Sequence, residues 1–278
     1  MEYAQALKDE LLSRHQMRYT HKQKSAFIDW VLAYAQKNGL SAAVEEGGKR
    51  IRSRNIIFGD VNRARTIITA HYDTCAWTPI GAFMTPGCWL MIVLIELVQM
   101  IFLLPLLLMM FLGPANRHTA NDNTSGVLLV LLLARRMKER SDVAFVLFDN
   151  EEKGLFGAQA FIKAHPQAAR RFLLNIDCVG DGDTLLYTGM KPGMKMPQAK
   201  RILAAMQEIA PQYGMKTASG EFPRWLYPSD QMLFPRGTAF AALKGRRILY
   251  LDRIHTGRDT VLDLRNLRCL AEIICQAI

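Results

Sequence analysis

The sequence predicts an α/β fold in which a mostly parallel central sheet is covered by helices on both faces. Two features of the 278-residue chain support this prediction. Apolar runs of strand length alternate with longer segments that repeat their apolar residues at helical spacing. Half of the residues are hydrophobic, so the chain can bury a full core. We find no internal repeat, linker or low-complexity tract, and therefore expect a single domain over residues 1–278.

A helical region begins the chain. Residues 2–37 carry apolar side chains at helical spacing, and Gly39 follows as a stop signal. The predicted strands are short β-like runs over residues 43–45, 51–58, 65–73, 142–149, 171–177 and 248–254, and the run 65–73 is apolar until it reaches polar residues.

The predicted helices alternate with these strands. They cover residues 125–139, 156–165, 197–214 and 262–278. The first begins at Ser125 and ends in basic residues, and the third has Pro197 near its start and Gly214 after its end. In a sheet built this way, ligands bind beyond the carboxyl ends of the strands.

Composition narrows the class of protein. The formal net charge is +10, but the basic residues are scattered without interleaved aromatic residues, so no nucleic acid partner is expected. The five cysteines form no Cys-x-x-Cys pair, which argues against a disulfide scaffold and indicates a reducing compartment. Residues 1–27 contain no apolar signal-peptide core. We therefore expect a cytoplasmic protein.

Polar side chains gather where the predicted strands end. They are His71 and Asp73 in "TAHYDT", Asp122 in "ANDNTSG", Glu151 and Glu152 in "DNEEKG", Asp177 in "NIDCVG" and His255 in "RIHTGRDT". Each residue alone is more often structural or solvated. Together they suit zinc, which binds imidazole nitrogen and carboxylate oxygen. A metal would also explain the adjacent acids, since one can bind the ion while its neighbour transfers protons.

The order and spacing of these segments resemble those of a known family. The motifs "AHYDT", "NDNTSG", "FDNEEKGLFG", "NIDCVG", "SDQMLF" and "IHTGRDT" are similar to those of the dizinc aminopeptidases of the bacterial leucyl type, a family that also includes glutaminyl cyclases. The similarity runs from about residue 25 to the end of the chain. It implies a zinc exopeptidase-like fold and hydrolysis of N-terminal residues from peptides with a free N-terminus.

The resemblance also implies a role for each residue. Two Zn2+ ions would be bridged by Asp122, although other divalent transition metals suit similar ligands. The remaining metal ligands would be His71 and Asp177 on one ion, and Glu152 and His255 on the other.

Three further carboxylates receive supporting or catalytic roles from the same resemblance. Glu151 would be the general base that takes a proton from the attacking water and passes it to the leaving amine. Asp73 would hold His71 in the required tautomer. Asp259, four residues after His255, would have a similar supporting role.

Residues 84–114 form a hydrophobic insertion where the family has a shorter loop. Within residues 89–112 only Glu96 and Gln99 are strongly polar, and one helix of this length would span about 36 Å. A single membrane crossing would place His71 and Asp122 on opposite sides of the bilayer, so it is incompatible with the site.

Three arrangements of this insertion remain open. A helical hairpin could break near Pro105 and dip into one leaflet, or the segment could lie on the membrane surface. It could instead be an active-site lid or an oligomer contact in a soluble protein. Nearby basic residues such as Arg117 suit an anionic membrane surface, which would place the protein on the inner face of the cell membrane. We expect a preference for hydrophobic substrates in each case.

Three other functions stay open besides aminopeptidase activity. A glutaminyl cyclase would use the same ligands, although Ile254 stands where cyclases typically carry Trp. A carboxypeptidase or dipeptidase would need a cation for the substrate carboxylate, for which Arg224, Arg236 and Arg258 are candidates. An inactive membrane scaffold would be expected to lack metal ligands, whereas this sequence keeps them.

Overall fold

The computed structural model describes residues 2–49, 51–81, 83–86, 90, 93, 109 and 112–278. Within these residues ten strands form one sheet. The strands are β1 Ala42–Gly47, β2 Ser53–Phe58, β3 Thr66–His71, β4 Phe83–Pro86, β5 Val143–Phe148, β6 Phe172–Ile176, β7 Thr184–Gly189, β8 Lys216–Glu221, β9 Gly237–Gly245 and β10 Ile248–Leu251. Their order is β1-β2-β5-β3-β6-β9-β10-β4, and β7 pairs with both β9 and β8.

The centre of the sheet is parallel. β3 pairs in parallel with β5 on one side and β6 on the other, and β6 pairs in parallel with β9. The registers place His71 opposite Phe148, and Thr69 opposite Asn175. The carboxyl ends of β3, β5 and β6 therefore meet at one edge, as the sequence predicts.

The outer part of the sheet is largely antiparallel, so the sheet as a whole is mixed rather than mostly parallel. Antiparallel pairs join β1 to β2, β2 to β5, β9 to both β7 and β10, and β10 to β4. Short connections explain two of them, because a tight turn can link only antiparallel strands. The turn between β9 and β10 uses Gly245 at φ 101°, a left-handed conformation that favours glycine. Strands β4, β7, β8 and β9 are absent from the sequence-based prediction.

Helices cover both faces of the sheet, which confirms the predicted α/β class, with a sheet that is parallel at its centre. They are α1 Glu2–Arg14, α2 His21–Asn38, α3 Gly126–Arg136, α4 Phe156–Ala164, α5 Lys191–Met194, α6 Pro197–Ile209 and α7 Leu264–Ala277. Phe27 of α2 and Leu128 of α3 pack in one apolar cluster with Ile68 of β3. The neighbouring Ile67 packs on the opposite face with Phe161 of α4. This alternation follows from the period of two residues in a strand.

The predicted helical N-terminal region consists of two helices with a break at residues 15–20. Thr20 begins α2 with a capping box, in which its hydroxyl accepts a hydrogen bond from the Gln23 N–H and the Gln23 side chain accepts one from the Thr20 N–H. Gly39 ends α2 at φ 67°. The break lies against the ends of the central strands, where it contributes to the site described below.

The predicted insertion 84–114 begins with a strand rather than a helix. Met84 pairs with Tyr250 in the antiparallel ladder between β4 and β10. The proposed break near Pro105 and most of 87–111 lie outside the described residues. In the part of the chain that the structure describes, no helix combines the length and hydrophobicity needed to cross a membrane.

A short ladder joins the chain before the insertion to the chain after it. The Trp77 N–H donates to the Pro114 carbonyl at 2.7 Å, and the Asn116 N–H donates to the Cys75 carbonyl at 3.1 Å. The chain therefore leaves and returns at the same place. This meets the requirement that His71 and Asp122, on either side of the insertion, lie near each other.

Candidate metal centre

The candidate site lies at the carboxyl ends of the three central parallel strands. His71 is the last residue of β3, and Asp177 directly follows β6. Glu151 and Glu152 follow β5 after Asn150, whose φ of 56° is left-handed. Such strained non-glycine residues concentrate at functional sites because the surrounding structure must enforce them.

Two further predicted residues reach this edge from other elements. Asp122 lies in the buried turn Ala120–Ser125 that leads into α3. His255 lies in the loop after β10 and has φ 62°, again left-handed. The structure therefore brings His71, Asp122, Glu151, Glu152, Asp177 and His255 to one place.

Asp122 lies between the two imidazoles. Its Oδ1 is 3.3 Å from His71 Nε2, and its Oδ2 is 3.0 Å from His255 Nε2. His71 Nε2 is also 3.5 Å from Asp177 Oδ1, while His255 Nε2 is 3.4 Å from Glu152 Oε2. One carboxylate is thus shared by two groups of donors.

These donors are close enough to hold metal ions. The candidate groups, each with ligand atoms within 4.8 Å of one another, are His71–Asp122–Asp177, His71–Glu151–Glu152 and Cys75–Asp122–Glu152–His255. Two buried oxygens at the site, Glu152 Oε1 and Asp177 Oδ1, have no hydrogen-bond partner among the described residues. Buried carboxylate oxygens without partners are costly unless a cation binds them. The residues present therefore fit a metal such as zinc.

Asp73 supports the site through both its main chain and its side chain. Its carbonyl oxygen lies 3.1 Å from His71 Nδ1, so the main chain fixes the tautomer that leaves Nε2 free. Its carboxylate accepts hydrogen bonds from the N–H groups of Glu151 at 2.9 Å and Glu152 at 3.3 Å, and lies 3.7 Å from Nδ1. The expected partner of His71 is therefore present, with the shorter contact made by the main chain.

Asp259 supports a backbone turn rather than an imidazole ring. Its carboxylate accepts hydrogen bonds from the N–H groups of Asn121 at 2.8 Å and Asp122 at 3.0 Å. Burial, together with the nearby charge of Asp122, raises the pKa of Asp259 to about 8. Asp259 therefore holds the turn that contains Asp122 in place.

Burial and crowding shift the acidic groups toward their neutral forms. Burial raises the pKa of Glu151 well above its usual value; His71 opposes the shift and Asp230 adds to it. Burial likewise raises the pKa of Glu152 to about 8, against the influence of His255. Carboxylates crowded in this way gain from a cation that replaces the protons.

The imidazoles and the shared carboxylate shift in the opposite sense, toward their charged forms. Burial alone would lower the pKa of His71, but Glu151 and Asp122 outweigh it and raise the pKa well above its usual value. Burial alone would raise the pKa of Asp122, yet its contacts with His255 and His71 lower it. The positive charge of the imidazoles and the negative charge of Asp122 therefore stabilise each other.

Arg18 is a buried cation that the sequence did not single out. Its guanidinium donates to Thr124 Oγ1 at 3.1 Å and to the Tyr72 carbonyl, and its side chain is fully buried. It therefore joins the loop after β3 to the turn that contains Asp122. Burial lowers the pKa of Arg18 to about 10, which leaves it charged at neutral pH. Several basic residues surround it in the sequence, so no sequence signal distinguishes it.

Three more buried residues were not identified as functional from the sequence. The Nζ atom of Lys24, in α2, lies 2.5 Å from Oδ1 of Asp149, the residue that directly follows β5. Asp230 is fully buried, and its two oxygens have no partner in the described part of the chain. It lies in the "SDQMLF" motif, which was a usable signal. Cys75 belongs to one donor group but carries no motif of its own.

A cavity of about 490 Å³ opens onto the site. Its wall includes the six converging residues and an apolar side formed by Ile80, Phe83, Leu155, Met232, Leu251 and Ile254. Among the described residues that line it there is no lysine or arginine. The cavity therefore combines an acidic floor with an apolar side.

The chain matches the model of a known protein family. The family is peptidase family M28, and the match covers residues 56–278. A search of curated proteins finds no sequence match.

Solved structures share the fold. The leucine aminopeptidase precursor from Bacteroides thetaiotaomicron has a TM-score of 0.69 at 16% identity, over 100% of this chain and 96% of that chain. The glutaminyl cyclase from Tannerella forsythia has a TM-score of 0.68 at 17% identity, over 100% and 97%. A Zn-dependent exopeptidase from Parabacteroides distasonis has a TM-score of 0.68 at 15% identity, over 98% and 95%. At these identities the likeness concerns the fold.

Proposed function

The chain belongs to peptidase family M28, and we propose that it is an aminopeptidase that uses two zinc ions to remove N-terminal residues from peptides. The observation that carries the proposal is the pair of donor groups that share Asp122, with Glu151 beside them. In this proposal His71 and Asp177 would hold one ion, Glu152 and His255 would hold the other, and Asp122 would contribute to both.

Charge supports two ions rather than one. The carboxylates that crowd the site are Asp73, Asp122, Glu151, Glu152, Asp177, Asp230 and Asp259. Two imidazoles and the buried cations Arg18 and Lys24 oppose them. When the carboxylates are ionised, one divalent cation would leave an excess of negative charge in a buried place, which is unfavourable. A second cation reduces that excess and uses the second donor group.

When bound, zinc lowers the pKa of a water molecule and polarises the carbonyl of the scissile peptide bond. Glu151 lines the cavity and takes the proton from the attacking water. It then delivers this proton to the nitrogen of the leaving peptide. The N–H of Glu151 is held by Asp73 Oδ1 at 2.9 Å, which fixes the base relative to His71.

The cavity wall favours an amino terminus over a carboxyl terminus. Its charged lining residues are acids and the two histidines, and Arg224, Arg236 and Arg258 are not among the described lining residues. A substrate carboxylate would find no guanidinium there to bind it, whereas a protonated α-amine meets carboxylates. This argues for aminopeptidase activity over carboxypeptidase activity.

The apolar side of the cavity supports a preference for hydrophobic N-terminal residues. A leucyl or phenylalanyl side chain would contact residues such as Phe83, Leu155 and Ile254 and lose its contact with water. A lysyl or glutamyl side chain would leave its charge against the same apolar surface. We expect leucyl and phenylalanyl substrates to be cleaved fastest.

A panel of aminoacyl-anilides tests this proposal. The zinc-loaded protein should release anilide from free leucyl and phenylalanyl substrates, but not from their N-acetylated forms, and chelation should abolish the release. Activity on N-blocked substrates that equals activity on free ones would contradict the proposal. Zinc-loaded protein that cleaves nothing would favour an inactive scaffold.

Glutaminyl cyclase activity is the second candidate, because solved cyclases share this fold. A cyclase would convert an N-terminal glutamine to pyroglutamate and release ammonia without cutting the chain. Mass spectrometry of a Gln-Leu-containing peptide separates the two functions. Loss of 17 mass units, roughly one ammonia, would indicate the cyclase, whereas loss of the first residue indicates the peptidase.

Attachment to a membrane is a further part of the proposal and rests on the sequence of the insertion 84–114. The described residues around it include exposed apolar side chains, with Ile80 72% and Leu112 81% exposed. Exposed basic residues near the turn after β9, Arg246 and Arg247, suit an anionic bilayer on the cytoplasmic side.

Vesicle flotation tests this attachment. The protein should float with vesicles that contain phosphatidylserine, and a variant with residues 87–111 replaced by a flexible Gly/Ser linker should not. This variant keeps β4 and the ladder beside Trp77, so its aminopeptidase activity is the folding control. Equal flotation of both proteins would contradict the assignment of the anchor, and would leave the insertion as a lid or an oligomer contact.

A further inference from the structure

Cys75 contributes a sulfur atom to one of the two donor groups. Its Sγ and ligand atoms of Asp122, Glu152 and His255 all lie within 4.8 Å of one another, and the residue is 1% exposed. We propose that Cys75 is a fourth protein ligand of the cation held by these three residues. This inference rests on the proposed metal centre and deepens it, because it makes the two metal positions chemically different.

Hydrogen bonds hold the chain on both sides of Cys75. The preceding residue, Thr74, accepts a hydrogen bond from the Arg18 N–H at 3.0 Å through its hydroxyl. The Cys75 carbonyl accepts from the Asn116 N–H at 3.1 Å, and Ala76 pairs with Ala115 in an isolated bridge. The main chain is therefore held on both sides of Cys75.

The atoms around the thiol suit a sulfur that accepts hydrogen bonds. The side-chain amide nitrogen of Asn116 lies 3.7 Å from Cys75 Sγ. The same nitrogen is closer to the carbonyls of His118 at 2.7 Å and Thr256 at 3.1 Å, which accept its N–H groups, so the contact with the sulfur is the weakest of the three. Donors of this kind orient ligands and tune a metal-bound thiolate.

A separate observation points to a cation at the same place. Glu152 Oε1 is buried and has no hydrogen-bond partner within the described residues, and its side chain is only 8% exposed. Zinc binds its ligand atoms at about 2.0–2.3 Å, so neighbouring ligands in a tetrahedral site lie about 3.3–3.8 Å apart. The ligand atoms of this group lie within 4.8 Å of one another, and pairs at the upper end of that range would approach by about 1 Å to hold one ion.

The other donor group contains no sulfur. It consists of His71, Asp122 and Asp177. Cys178 is buried beside Asp177 but belongs to no donor group among the described residues. A thiolate is a softer ligand than a carboxylate and strengthens the binding of zinc and similar metals. The position that includes Cys75 should therefore load first, and the sulfur-free position second.

Cobalt titration of chelator-treated full-length protein tests the inference. Thiolate ligation gives Co2+ an intense charge-transfer band in the near ultraviolet, which carboxylate and imidazole ligands do not give. The band should saturate with the first equivalent of metal. It should be lost in Cys75→Ser and retained in Cys178→Ser, which removes a comparably buried thiol. The zinc dissociation constant of the first site should rise at least about tenfold in Cys75→Ser.

X-ray absorption at the zinc edge needs no variant and covers the case in which Cys75→Ser does not fold. The unmodified zinc protein should show a sulfur scatterer at about 2.3 Å. Two bound metal ions with neither the sulfur scatterer nor the cobalt band would overturn the role of Cys75 and leave the aminopeptidase proposal intact. Failure to bind any metal would overturn both.

Discussion

Replacing Glu151 with Gln tests the proposed general base, because it removes the proton acceptor and keeps the size of the side chain. The other acidic groups at the cavity are Asp122, Glu152 and Asp177, which the proposal assigns to metal ions. No second free carboxylate is then available on the described cavity wall to replace the base. General base catalysis contributes about 10²–10⁴-fold, and we expect the upper part of this range.

The expected loss is about 10³–10⁴-fold in kcat, or roughly 4–5.5 kcal/mol of transition-state stabilisation. The KM for a leucyl anilide should change little, since Glu151 acts on the attacking water and not on the side chain of the substrate. The bound zinc should be unchanged. Steady-state kinetics and metal analysis of the same preparation measure all three quantities.

Two control variants make the result interpretable. Glu139→Gln changes a glutamate whose side chain is 89% exposed, and its kcat should stay within about twofold of the unmodified protein. Glu152→Gln should instead lose zinc together with activity. Full zinc content with a kcat reduced less than tenfold in Glu151→Gln would refute the assignment. Loss of zinc in that variant would place Glu151 among the metal ligands.

Three other changes have defined outcomes. Arg18→Met should lower both the melting temperature and the zinc affinity, with a loss of about 3–5 kcal/mol in the free energy of unfolding. Arg18→Lys should recover part of both losses. Unchanged zinc binding in Arg18→Met would contradict the role of Arg18 at the site. Met232→Lys should raise the KM for leucyl anilide about tenfold by repelling the α-amine, and an unchanged KM would remove the amine from this part of the cavity. The zinc-free protein should become less stable as the pH rises from about 4 to about 8. Burial raises the pKa of Asp259 and of Asp230 to about 8 in the folded state. Over this range the folded state therefore keeps protons that the unfolded chain has lost. Thermal melts in a chelator measure this slope, which should be shallower in Asp259→Asn; a melting temperature that rises over this range would contradict it.

The sequence predicted the part of the site that follows local rules. His71 and Asp177 end or follow apolar runs that form β3 and β6, and the parallel register of these strands brings their ends together. Glu151 and Glu152, the adjacent glutamates after β5, were recognisable because two like charges side by side at the end of a buried strand are unfavourable unless a cation lies near them. Asp122 and His255 were also singled out as polar residues beside apolar runs, but neither follows a central parallel strand, and their roles as metal ligands were assigned from the motif resemblance.

The parts that the sequence could not predict depend on contacts between distant segments. Strands β7 and β9 mix apolar residues with small and polar ones, so the sequence does not mark them as buried strands. Their burial becomes evident only when the two strands pair in the sheet. The hydrogen-bond acceptor for His71 Nδ1 is the main-chain carbonyl of Asp73, and since every residue carries such a carbonyl, no sequence pattern can mark it. Asp259 was expected to support the site, but its target, the N–H groups of Asn121 and Asp122, depends on the folded turn.

The N-terminal segment extends the site beyond the part of the chain that matches the family, which begins at residue 56. Arg18 and Lys24 both lie before that residue, yet both are buried against the acidic edge of the sheet. The charge of Lys24 lowers the pKa of Asp73, against the opposing effect of burial, and so keeps ionised the carboxylate that holds the N–H groups of Glu151 and Glu152. The break between the first two helices and the start of α2 therefore contribute to the candidate site as well as to the core, because they supply the buried cations Arg18 and Lys24, which no residue of the recognised motifs provides.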